Sequence, residues 1–130
     1  KVAPDLDEVA VRDIAELALA YALDALIVSN TTLQRPPQLT NDARTEAGGL
    51  SGQPLFHIST EILRLFARAL GGRLPLIGVG GVESGATALA KLKAGASLIQ
   101  LYTGLIYHGP DLVREIAQAV CADIAKQNFD

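Results

Sequence analysis

The sequence contains no methionine, no tryptophan and a single cysteine, Cys121. One cysteine cannot close an internal disulfide, so packing must hold the fold, and a reducing compartment is the default for such a chain. Aromatic residues are scarce, three Phe and three Tyr, so aliphatic and small side chains must fill the core. Positive charge is not in excess: 11 Lys and Arg stand against 14 Asp and Glu, a net charge of −3, which leaves no basic footprint for nucleic acid. No apolar run reaches the roughly 18 residues of a spanning helix, and no segment reads as a signal peptide, so the chain itself is expected to be soluble. His57 and His108 lie far apart, and neither stands at metal-type spacing to Cys, Asp or Glu, so no metal is expected. No Ser-His-Asp or Cys-His arrangement presents itself.

What is present is a 49% hydrophobic chain of 130 residues with 12 Gly, enough for one domain with a buried core. Three short apolar runs, 25–29, 75–80 and 97–102, are nearly continuous, as strands buried on both faces of a parallel sheet would be. Helical patterns separate them. Asp7 is placed to cap a helix with Val11, Ile14, Ala18 and Tyr21 on one face. Ser59 can cap a second, carrying Ile62, Phe66 and Ala69 and stopping at Gly71-Gly72; Ser84 can cap a third, with Ala88, Leu89 and Leu92 inward. Gly109-Pro110 opens the last, whose inward face reads as Val113, Ile116, Ala117, Val120 and Ile124, with Cys121 toward the same core. The alternation predicts an α/β fold with a parallel sheet. Lys1-Val2-Ala3 reads as the end of a further strand. That short piece, the open edges of so small a sheet and the start at Lys1 lead us to expect further strands outside this chain.

Candidate chemistry gathers after the strands. Gly78-Val79-Gly80-Gly81-Val82-Glu83-Ser84 runs from a strand end to a helix start, where glycines let backbone approach a ligand and free N–H groups favour an anion. Leu101-Tyr102-Thr103-Gly104 repeats the arrangement after the next strand, and two such turns in succession match the phosphate site of (β/α)₈ barrels. The G-x-G-G spacing lacks the third glycine of a dinucleotide fingerprint. Residues 30–55 form a loop long enough to be either functional or disordered. Asn30, in Ser29-Asn30-Thr31-Thr32, either offers its amide to a planar polar ligand or closes an Asx turn; Gly48-Gly49-Leu50-Ser51-Gly52 either wraps a ligand or is a flexible linker. Lys1 points a cation toward the same end of the sheet, while Arg35 and Arg44 read as solvated loop charges.

Taken in order, Lys1-Val2-Ala3-Pro4-Asp5-Leu6, Ser29-Asn30-Thr31-Thr32 with Arg35-Pro36, Gly48 to Leu55, Ile77 to Val82 and Ala94 to Thr103 cover nearly the whole chain. This series resembles the quinone-linked, class 2 dihydroorotate dehydrogenases. The resemblance implies that residues 1–130 are the C-terminal half of an FMN-binding (β/α)₈ (TIM) barrel, with the N-terminal half absent. It implies oxidation of dihydroorotate to orotate in pyrimidine synthesis, with a quinone reoxidising the flavin. Lys1 would approach the polar edge of the isoalloxazine, and Ser29, Ser51 and Gly52 would line the flavin. Gly80, Gly81, Tyr102 and Thr103 would hold its phosphate, and Asn30 and Thr31 would bind the pyrimidine. Position 29 is Ser where Thr is also common in relatives, which keeps the hydroxyl.

The family's serine base, its further substrate asparagines and its membrane-facing quinone tunnel would lie upstream. No catalytic base is therefore expected in this chain. The parent enzyme would be peripherally membrane-associated, on the cytoplasmic side if bacterial. Two alternatives stand beside this reading: a non-catalytic half-barrel that self-associates or pairs with a separate N-terminal half, and a different FMN- or phosphate-binding barrel.

Overall fold

The computed structural model describes residues 1–37 and 39–127. Helix α1, Glu8–Ala20, begins where the Asp7 carboxylate accepts the Ala10 N–H at 2.8 Å, and buries Val11, Ala15 and Ala18. Tyr21 lies beyond its end and is 77% exposed, so the expected inward stripe stops one turn earlier. Strand β1, Leu26–Val28, follows, then the long loop.

Helix α2, Phe56–Leu70, starts three residues before the expected Ser59 cap, because a 3-10 turn at Gln53–Leu55 containing Pro54 already leads the chain into it. Gly71, at φ +56°, ends it in the left-handed conformation that glycine adopts without a Cβ penalty. Strand β2, Leu76–Gly78, precedes α3, Gly85–Lys93, whose Ser84 and Thr87 form a reciprocal capping box. Strand β3, Leu98–Ile99, is followed by a six-residue helix that the sequence patterns did not suggest, α4, Thr103–His108, and then by α5, Asp111–Gln127.

The three strands are parallel and lie in chain order, with Leu26 opposite Leu76, Ile27 opposite Ile77, Val28 opposite Gly78, and Ile77 opposite Leu98. Val2 extends the series, pairing in parallel with Val28 through Val2 N–H to Ile27 O and Asn30 N–H to Val2 O. Successive helices are neighbours: α1 packs on α2, α2 on α3, and α3 on α5. Strands in sequence with helices side by side describe a singly wound sheet, the arrangement of a (β/α)₈ barrel segment.

One face of the sheet meets the helices. There Leu26, Val28, Leu63, Phe66, Leu70 and Leu76 are buried, each removing apolar surface worth about 1.5–3 kcal/mol for a side chain of this size. The opposite row, Ile27, Ile77 and Leu98, is half-buried or open, and Leu98 is 60% exposed. The expected burial on both faces is therefore incomplete at all three strands, and least complete at β3, which also ends the sheet. The expected face of α5 also shifts. Leu112 and Ile116 are its buried residues, with Val120 partly covered, whereas Val113, Ala117, Ile124 and Cys121 are exposed. The helix packs mainly on α3 and the short α4, with Val82, Ile99 and Leu101 joining its buried cluster, so a narrow stripe suffices. Among the described residues no helix is long and apolar enough to cross a membrane.

Candidate functional site

An open cleft of about 350 Å³ lies at the C-terminal ends of the strands, and all ten residues proposed from the sequence line it: Lys1, Ser29, Asn30, Thr31, Ser51, Gly52, Gly80, Gly81, Tyr102 and Thr103. The sheet makes this convergence unavoidable. Parallel strands in register deliver their following turns to one end, so residues about 100 positions apart become neighbours.

The glycine turn after β2 is shaped by close packing. Gly80 and Gly81 have φ of +105° and +70°, a region that side chains strain to enter. A Cβ on Gly81 would stand 2.5 Å from the Phe56 Cα, and one on Gly80 would stand 2.8 Å from the Ser59 hydroxyl. Gly104 is pressed against the carbonyl of Val82, joining the two turns. Sequence reasoning expected the α3 start to offer its N–H groups, and here the structure differs. Glu83 and Ser84 N–H both go to Thr87 Oγ1, and Gly85 N–H goes to Glu115 Oε1 at 2.9 Å. Those donors are consumed by the helix cap. The N–H groups of Gly80, Gly81, Thr103 and Gly104 are used by no hydrogen bond among the described residues, and they border the cleft.

The loop at 30–55 is folded. Thr32 and Leu50 form an antiparallel bridge with bonds of 3.2 and 2.8 Å. Arg35, expected as a solvated charge, donates to the carbonyls of Leu33, Gln34, Arg44, Glu46 and Gly48, and Arg44 donates to that of Leu39. Loop carbonyls with no ladder to join need donors, and a guanidinium supplies several at once. Asp5 fastens the loop to the N-terminal segment by accepting from Thr32 Oγ1, Leu33 N–H and Gln34 Nε2. Ser51 is thereby brought to Thr103, whose hydroxyl donates to it at 3.0 Å. Asn30 Oδ1 accepts the N–H of the adjacent Thr31, whereas an Asx turn would take that of Thr32, which bonds the Leu50 carbonyl instead; Asn30 borders the cleft.

Charge at the site is positive. Lys1 Nζ lies 4.8 Å from the Tyr102 ring centroid, holding its cation at the cleft mouth. Beneath the glycine turn lies Lys91, which sequence reasoning missed. It is wholly buried, with Nζ 2.5 Å from Ser59 Oγ. Burial, and then repulsion from Arg64, lowers its pKa from 10.5 to about 7. Its position three residues after Ala88, on the inward face of α3, was the available signal. Ser59 is itself not a cap: its hydroxyl lies within hydrogen-bond reach of the Phe56 and Gly80 carbonyls. The cleft also includes Leu55, Val79, Val82 and Gln100, none singled out from sequence. Gln100 follows Leu98 by two residues on the same strand path, and its Oε1 is buried with no hydrogen-bond partner.

The family model described as dihydroorotate dehydrogenase matches residues 1–124. The dihydroorotate dehydrogenase (quinone) of Xanthobacter autotrophicus is 52% identical over 99% of this chain and 36% of its own length. The mitochondrial dihydroorotate dehydrogenase (quinone) of Arabidopsis thaliana is 48% identical over 99% of this chain and 28% of its own. The crystal structure of the Eimeria tenella enzyme in complex with ferulenol superposes with a TM-score of 0.91 at 39% identity, covering 98% of this chain and 34% of that one. The chain spans about a third of the length of the relatives it matches.

Proposed function

The chain belongs to the dihydroorotate dehydrogenase family, and from that premise we propose that it supplies the flavin-phosphate side and part of the substrate side of a quinone-dependent dihydroorotate dehydrogenase. The reaction is the oxidation of dihydroorotate to orotate, with a quinone as the final electron acceptor, in pyrimidine synthesis. The observation that carries this reading is the gathering of all ten proposed site residues on one cleft at the strand ends.

The residues fit FMN. The Gly80-Gly81 turn packs too closely on Phe56 and Ser59 to carry side chains, so bare backbone with unused N–H groups borders the cleft, and the Gln100 Oε1 acceptor is buried without a partner. A phosphate dianion suits such donors, with Gly80, Gly81, Tyr102 and Thr103 as its holders. Ser29, Ser51 and Gly52 line the flavin. Lys1 places a cation where negative charge grows during reduction, a fixed electrostatic stabilisation in a site partly screened from water. Asn30, with donor and acceptor on one amide, orients the pyrimidine together with Thr31. FMN, when bound, supplies the two-electron acceptor for the substrate. The base that takes the substrate proton, the quinone tunnel and the peripheral membrane attachment belong to parts of the enzyme beyond these residues.

The absorbance spectrum of the complete enzyme carrying this chain tests the reading. One FMN per polypeptide and dihydroorotate-dependent bleaching are expected; a colourless protein that turns over no dihydroorotate overturns it. A second reading concerns assembly and rests on the two flanks. Leu17, Tyr21 and Leu23 are exposed beside α1, and Leu98, Ile106 and Tyr107 beside β3 and α4. These apolar margins fit lateral packing against the rest of a barrel, or against a second copy when that is missing.

A further inference from the structure

Lys91 is a buried cation for which the proposed cofactor contacts give no role. Its stem packs beneath β2, where a Cβ on Gly78 would come within 3.2 Å of the Lys91 Cβ. Its Nζ donates to Ser59 Oγ and lies 5.2 Å from the Phe56 ring centroid, and no carboxylate pairs with it among the described residues. An unpaired buried charge is costly, and a methionine of similar shape would fill the space at less expense. Stability alone therefore does not account for an ammonium at this point.

The hydrogen bonds that follow it lead to the cleft. The Ser59 hydroxyl, accepting from Lys91, lies 3.0 Å from the Gly80 carbonyl. The Gly80–Gly81 peptide is trans, so its carbonyl and its N–H point in opposite directions. Drawing the carbonyl toward Ser59 turns the Gly81 N–H away from α2. Gly80 and Gly81 line the cleft on that side, and Ser59 does not. Hydrogen bonds in series polarise one another, so an ammonium at the start strengthens the donor at the end.

We propose that Lys91 is a positioning residue for a phosphate monoester: through Ser59 it fixes the Gly80–Gly81 peptide with its N–H toward the cleft and sets a positive charge behind it. The inference rests on the FMN reading above. An anion at the turn would in return supply the compensation that Lys91 lacks.

The test is a titration of the flavin-free complete enzyme with FMN and with riboflavin, which has no phosphate, followed by quenching of flavin fluorescence. The wild-type protein is expected to hold FMN more tightly. Lys91→Met should lower the ratio of the two affinities about tenfold, the scale of one hydrogen bond to a charged group, and leave riboflavin binding nearly unchanged. Ser59→Ala keeps the Lys91 side chain and removes the hydroxyl through which it acts; it should lower the ratio in the same direction, and it decides the matter if Lys91→Met does not fold. An unchanged ratio in Ser59→Ala, or equal losses for both flavins, overturns the proposal and leaves the phosphate site standing. A wild-type ratio near one overturns the phosphate-site reading and this inference together.

Discussion

Gly81 is the residue at which backbone geometry and ligand space meet most tightly. At φ +70° and with Phe56 backbone 2.5 Å from where a Cβ would stand, it has room for no side chain. Gly81→Ala is expected to cost about 1–3 kcal/mol of stability through strain and displacement. It should also lower the flavin content of the purified enzyme, read from the ratio of visible to ultraviolet absorbance. Lys91 gives a prediction with a definite sign. Its pKa is about 7 in the fold against the ordinary lysine value of 10.5, so between those pH values the unfolded chain holds a proton that the folded chain has lost. Stability of the flavin-free protein should therefore rise as pH goes from about 7 toward 10.5. Arg64 is the charged neighbour that adds to this shift. Thermal melts across the range should show the rise in wild type and a flatter profile in Lys91→Met.

Elements carry the site through their ends. The α3 start was legible from Ser84 because a capping box is local chemistry within four residues, and Ser84→Ala should cost about 1 kcal/mol, measurable as a shift in denaturant midpoint. The α2 start was not legible from Ser59. Pro54 and the 3-10 turn had already begun the helix, and the hydroxyl answers a carbonyl 21 residues away instead. Sequence left the 30–55 loop open between a functional and a disordered segment; the Thr32–Leu50 bridge, Asp5 and above all the Arg35 guanidinium order it. Arg35→Ala removes donors to five carbonyls, so limited proteolysis should cut this loop sooner. Seating of Ser51 against Thr103 should loosen with it, weakening flavin binding.

At the scale of the whole molecule, the chain offers three paired strands, extended at the β1 edge by the Val2 bridge, with apolar side chains exposed on both flanks. A sheet with unpaired edges and apolar flanks seeks partners. The isolated chain is expected to show negligible dihydroorotate turnover, and size-exclusion chromatography should place it above the monomer position. Mixing with the upstream half of a relative should restore yellow colour and activity. Robust turnover by the isolated chain would contradict the expectation that the base lies elsewhere.

The alternation of three strands with helices, all but the short α4, and the glycine turns were legible in the sequence alone, which also picked out the ten residues that border the cleft. Those features depend on local periodicity, on φ values only glycine tolerates, and on strings whose family order is itself informative. Three matters were decided only by tertiary structure. The α3 cap consumes donors that seemed free, because Glu115 arrives from α5, 30 residues away. Leu98 is uncovered, because exposure depends on what lies beside a strand. Lys91 is buried, because three-dimensional packing fixes where a long side chain ends, while its neighbours in sequence reveal only the face from which it starts.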